Sequence, residues 1–115
     1  MILNYLPIDK DMIKYRPEVF EMNIKGVLYT FRFSYNTYDS RFYASIYRTS
    51  DKKPIIEGKK VTYGVDLLSG FYNDAKPEDI VLIPVDFSSE PVEEVTEESF
   101  MDSVYVYIID GDIDE

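Results

Sequence analysis

The chain contains no cysteine and no histidine, and these two absences exclude much of the chemistry open to a small protein. Without thiols there are no disulfides, no thiolate nucleophile and no cysteine-ligated metal, and a reducing place of synthesis is natural. Without imidazole the Ser-His-Asp and Cys-His arrangements and the common zinc sites are missing, as is the side chain that titrates nearest neutral pH. Glycine is scarce, 5 in 115 residues, and those between Gly64 and Gly70 form neither a GxGxxG nor a P-loop pattern, so phosphate cradling has no support. Long apolar runs are lacking too. The longest, residues 80–83 and 104–109, fall short of the roughly 18 residues a membrane span needs. Residues 1–11 carry no cationic leader. The expectation is a soluble chain that works without a cofactor or metal and is not an enzyme.

What the sequence has in quantity is aromatic residues, 11 Tyr and 7 Phe. They concentrate in residues 28–48, where Tyr29, Phe31, Phe33 and Tyr35 alternate with Leu28, Thr30, Arg32 and Ser34, the period of two that puts one side of a strand into a core. Asn36, Thr37, Asp39 and Ser40 supply turn chemistry, and residues 41–48 return as a second strand. Further strands are expected at residues 2–8, ending near Pro7, at 19–24, followed by a tight Lys25-Gly26 turn, at 80–87 and at 104–109. Residues 9–15 read as a polar connector, 69–79 as a loop and 88–103 as acidic and turn-rich. Residues 55–65 read either as two short strands broken at Gly58 or as one bent strand bulged there. Residues 80–83, apolar on both parities, suggest a strand covered on both sides, with Pro84 favouring an edge or bulge. The uncharged run 104–109 would be an aggregation hazard as an open edge, and Asp102 and Asp110 flank it as gatekeepers. About seven to eight short strands with little helix predict an all-β domain, a small antiparallel barrel or sandwich over residues 1–109, with 110–115 as an acidic tail.

Charge divides the chain. Residues 1–76 hold all 12 Lys and Arg against 9 acids, while residues 77–115 hold 13 acids and no base. Such a field repels phosphate backbones and favours a basic partner, so no nucleic-acid or membrane binding is expected. Asp110, Asp112 and Asp114 alternate like the start of a calcium loop, but an EF-hand glycine and bidentate Glu are missing at the required spacing. A solvated acidic end is the better reading. Glu93, Glu94, Glu97 and Glu98 lie in the most hydrophilic stretch, whereas a glycosidase acid needs an apolar pocket to raise its pKa. The tyrosines carry more. With Phe42, Ala44, Ile46, Val104, Val106 and Ile108 on the core parity, Tyr43, Tyr47, Tyr105 and Tyr107 fall on the other. They cover the rim of the fold with hydroxyls in water, or they form a partner surface.

A wider pattern is also present: Pro7-Ile8-Asp9-Lys10, Ile13, Tyr15-Arg16, Gly26, Tyr29-Thr30-Phe31-Arg32-Phe33, Tyr35-Asn36, Phe42-Tyr43, Tyr47, Tyr63-Gly64-Val65, Leu67, Ile83-Pro84-Val85-Asp86 and Val104-Tyr105-Val106-Tyr107-Ile108. This order resembles the small plug proteins of phage baseplates, the family named after a cyanophage contractile-tail plug, over nearly the whole chain. Pro17, the glutamate-rich 88–103 and the acidic end depart from it as elaborations. The resemblance implies a structural virion component in the hub of a contractile tail or tail-derived bacteriocin, made in the host cytoplasm, that closes the tube until contraction. It implies baseplate hub and tail-tube proteins as partners, in a homo-oligomer or mixed assembly, and no catalytic residues. The competing reading from charge is a small acidic inhibitor or immunity protein that neutralises a basic toxin or nuclease.

Overall fold

The computed structural model describes residues 3–69, 77 and 79–110, and among these there are seven strands and no helix. They are β1 (Leu3–Tyr5), β2 (Glu18–Ile24), β3 (Val27–Asn36), β4 (Arg41–Arg48), β5 (Lys53–Lys60), β6 (Ile80–Val85) and β7 (Tyr105–Asp110). All strand pairing is antiparallel, in a four-stranded sheet of order β2-β3-β4-β5 and a three-stranded sheet of order β1-β7-β6. The sheets do not close on each other, so the architecture is a sandwich and not a barrel.

The four-stranded sheet is a meander whose turns follow from the local chemistry. Lys25 and Gly26 both take positive φ, 52° and 85°, as the two-residue turn that matches strand twist requires. The Asn23 carboxamide oxygen accepts from the Gly26 N–H at 2.9 Å. The next hairpin closes from Asn36 to Arg41; Asp39 accepts from the Arg41 N–H at 3.0 Å and also from the Tyr43 hydroxyl. Register then aligns Phe20, Phe31, Ile46 and Ile56 in one row across all four strands. Phe31, Phe33, Phe42, Ala44, Ile46 and Ile56 are buried, and Phe20 stacks on Phe31 at 5.2 Å between ring centroids. Each such fully buried large side chain stabilises the fold by about 1.5–3 kcal/mol.

Of residues 55–65 only 55–60 are strand: they belong to one strand, β5, bent at two irregularities, and residues 61–65 lie beyond its end. Ala44 faces Lys59 and Ile46 faces Ile56, so β5 spends one residue more than β4 between these pairs; a second extra residue, Ile55, falls between Pro54 and Ile56. Gly58, at φ 61°, lies in the first bulge, and its N–H donates to Ser45 Oγ at 2.9 Å. The second leaves the successive side chains Ile55 and Ile56 both buried. A bulge produces this by re-aiming one side chain.

In the three-stranded sheet β7 is central, so the uncharged run expected to be hazardous at an edge is paired on both sides. Strands β1 and β6 are the edges, and Pro84 of β6 sits opposite Val106. The other side of β6 is covered by residues 62–69: the Gly64 N–H donates to the Pro84 carbonyl and the Leu67 N–H to the Leu82 carbonyl, both at 2.8 Å. Asp66 clamps this cover by accepting from the Leu68 and Leu82 N–H groups, and the Lys59 ammonium donates to the carbonyls of Asp66, Leu67 and Ser69. The expectation that β6 would be covered on both faces is corrected. Ile80, Leu82 and Pro84 are buried, whereas Val81, Ile83 and Val85 stay half-exposed, because no layer among the described residues packs on that side. The first strand is shorter than the expected 2–8; Leu6 and Ile8 lie beyond it but are buried. The acidic stretch 88–103 folds inward as well as outward. Val95, Ser99, Phe100 and Met101 are buried, and the Phe100 ring meets Phe42 at 4.4 Å and Phe33 at 6.4 Å.

Candidate interaction surface

Alternation assigns each tyrosine to a side of its own strand, and the sheet order then decides where that side points. Tyr43 and Tyr47 stand on the outer face of the four-stranded sheet, Tyr105 and Tyr107 on the outer face of the three-stranded sheet, with the core between them. The structure brings Tyr105 and Tyr107 together, 6.1 Å between centroids, and separates them from the other pair.

The two outer faces differ in chemistry. Around Tyr43 and Tyr47 the four-stranded sheet presents Val19, Glu21, Asn23, Leu28, Thr30, Arg32, Ser34, Ser45 and Lys60, a mixed and mainly polar set. The hydroxyl of Tyr43 is held by Asp39, which raises the phenol's pKa and lowers that of the carboxyl. On the other sheet, register places Val81 opposite Ile109, Ile83 opposite Tyr107 opposite Tyr5, and Val85 opposite Tyr105. None of these residues is charged. Tyr5 packs on Tyr105 at 4.6 Å and on Tyr107 at 6.1 Å, and Phe87, just past β6, packs on Tyr107 at 4.6 Å. Tyr5 is 51% exposed and Phe87 56%. Tyr105 donates to the Asp102 carbonyl at 2.9 Å. Burial raises the Tyr107 pKa, with Tyr105, Asp86 and Tyr5 adding to it.

Sequence reasoning missed Tyr5 and Phe87 as members of this group. Tyr5 had a signal, the parity opposite Leu6 and Ile8. Phe87 had one too, since it continues the parity of Val81, Ile83 and Val85 in the strand expected at 80–87, although β6 ends at Val85 and Phe87 follows the bend at Asp86. That aspartate accepts from the Val92 N–H and the Ser88 N–H, both at 2.8 Å, which depresses its pKa and fixes the bend after β6.

The acids expected to be wholly solvated have partners in part. Asp102 meets Lys10 at 2.8 Å, Asp110 meets Lys25 at 3.3 Å, Glu94 meets Arg41 at 3.7 Å, and Glu97 accepts from the Tyr35 hydroxyl at 2.7 Å. Asp110 is thus the last residue of β7 as well as the first of the acidic run; Asp112 and Asp114, and most of the loop expected at 69–79, lie outside the described residues. Among the described residues no acidic group of three or more could hold a metal ion, and no helix is long and apolar enough to cross a membrane.

A family model described as the cyanophage baseplate Pam3 plug gp18 matches residues 3–112. No curated protein matches the sequence.

Proposed function

The chain belongs to the cyanophage baseplate plug family, and from that membership we propose that it is a structural, non-catalytic component of a contractile phage tail or tail-like particle. In this reading it sits in the baseplate hub and closes the tail tube through contacts with hub and tube proteins until contraction. The observation that carries the proposal is the family match across residues 3–112. The structure supports it in physical terms. The sandwich core is packed with contacting aromatic rings, one of its outer faces is apolar enough to pack against a neighbour, and a chain of net charge −10 repels DNA passing through a tube.

Mass spectrometry of purified tails tests the proposal. The chain is expected at fixed stoichiometry in extended tails and is expected to be lost once they contract. Its absence from extended tails would refute a baseplate role, and retention at full stoichiometry after contraction would refute tube closure.

A further inference from the structure

We propose that the outer face of the three-stranded sheet, built on Tyr5, Ile83, Phe87, Tyr105 and Tyr107, is the docking surface of this protein, and that it takes a heterologous protein surface with an apolar centre and a Lys- or Arg-rich rim. The proposal rests on the baseplate reading and deepens it by naming the face and the chemistry of the partner.

Three observations lead there. The face is continuous: its rows run Val81–Ile109, Ile83–Tyr107–Tyr5 and Val85–Tyr105 without a charge, and its four rings form one contacting chain from Phe87 through Tyr107 to Tyr5 and Tyr105. Exposed apolar patches of this kind on a soluble domain mark interaction sites, and tyrosine and phenylalanine are enriched at interface centres. The opposite outer face is mostly polar, so the choice of face follows from composition.

Charge then selects the occupant. Strands β6 and β7, the connection between them and Phe87 all come from residues 77–115, a stretch with 13 acids and no base. The acids flanking β7, Asp102 and Asp110, are offset by Lys10 and Lys25, and Asp86 is buried in backbone hydrogen bonds, so exposed negative charge in the β6–β7 connection is carried by glutamates such as Glu90, Glu93 and Glu98. A second copy would bring a further net charge of −10 against the first, so like charge would meet like charge. A nucleic-acid partner meets the same repulsion. An apolar surface rimmed by cations is complementary in both respects.

The test places a photo-reactive amino acid at position 87 or, on the opposite face, at position 19, in the full chain expressed within the particle, and maps the cross-links in purified extended tails. Position 87 is expected to cross-link to another tail protein at a segment rich in Lys or Arg, and position 19 is not. In parallel, the double variant Tyr5→Ser/Phe87→Ser should be incorporated at least about tenfold less than wild type. The control Val19→Ser/Leu28→Ser should be incorporated normally, with both isolated variants melting as wild type does. If the double variant fails to fold, Phe87→Ser alone replaces it, since that ring lies outside the strands. Cross-links from position 87 to a second copy or to an acidic segment, cross-links from position 19 only, or equal incorporation of both variants would overturn the proposal while leaving the baseplate role standing. Absence of the wild-type chain from tails would remove the baseplate role itself, and this inference with it.

Discussion

Asp86 and Phe100 show how much two side chains in the acidic third contribute. The Asp86 carboxylate accepts two backbone N–H groups across residues 88–92, so its pKa in the fold lies below the ordinary 3.8. A depressed folded pKa gives stability that is present above the unfolded value and lost as pH falls through the folded one. Melting temperature should therefore fall on acidification below about pH 4, and Asp86→Asn should be less stable than wild type at neutral pH with a shallower acid limb, read by circular dichroism across a pH series. Asp51 offers a direct titration: the Arg48 guanidinium, donating at 3.0 and 2.5 Å, holds its carboxyl at about 2. In Arg48→Met the Asp51 carboxyl resonance should titrate at higher pH, moving from about 2 toward 3.8, with the Lys53 N–H still donating to it and holding it down in part. Phe100 is 1% exposed and lies against Phe42 and Phe33. Phe100→Ala should cost about 3–5 kcal/mol in urea unfolding, as expected for a fully buried ring; a loss below ~1 kcal/mol would show that residues 92–104 are not part of the core.

At the scale of elements, the meander β2–β5 was the most legible part of the sequence. Its aromatic and aliphatic residues alternate, Lys25-Gly26 and residues 36–40 are recognisable turns, and one face is buried, which is the condition under which alternation reports structure. The remainder was less legible for definable reasons. Leu6, Ile8 and Ile13 are buried from irregular backbone, which has no period. Residues 88–103 advertise their charge, and Val95 alone and Phe100 with Met101 enter the core between acids. Parity placed the four tyrosines on outward sides, but whether two outward sides coincide depends on which sheet each strand joins, and that is a long-range property. The ambiguity at Gly58 came from the bulge itself, since an extra residue breaks the alternation that identifies a strand. Gly58 has open space around its missing Cβ but a φ of 61°. Gly58→Ala should thus cost about 1 kcal/mol from backbone strain alone, without a steric clash. Equilibrium denaturation measures it.

For the whole molecule, charge and shape act together. A net charge of −10 on 115 residues opposes compaction by self-repulsion, and only some of the acids are offset by Lys10, Lys25 and Arg41. Exposed pairs of this kind contribute little each, so screening the general repulsion should outweigh weakening the pairs. The melting temperature is expected to rise with added sodium chloride; a fall would mean that the three cross-links dominate. The two sheets also have different chain histories. The meander joins neighbours in sequence, whereas β1 pairs with β7, Leu3 with Ile109. During synthesis the meander has all its strands long before residues 105–110 leave the ribosome, and until then β1 and β6 lack the strand that joins them. Closing so distant a contact is the slow step in such a topology. The aromatic face comes into being only with that closure, so on the proposed docking role a nascent chain has no finished surface to offer a partner.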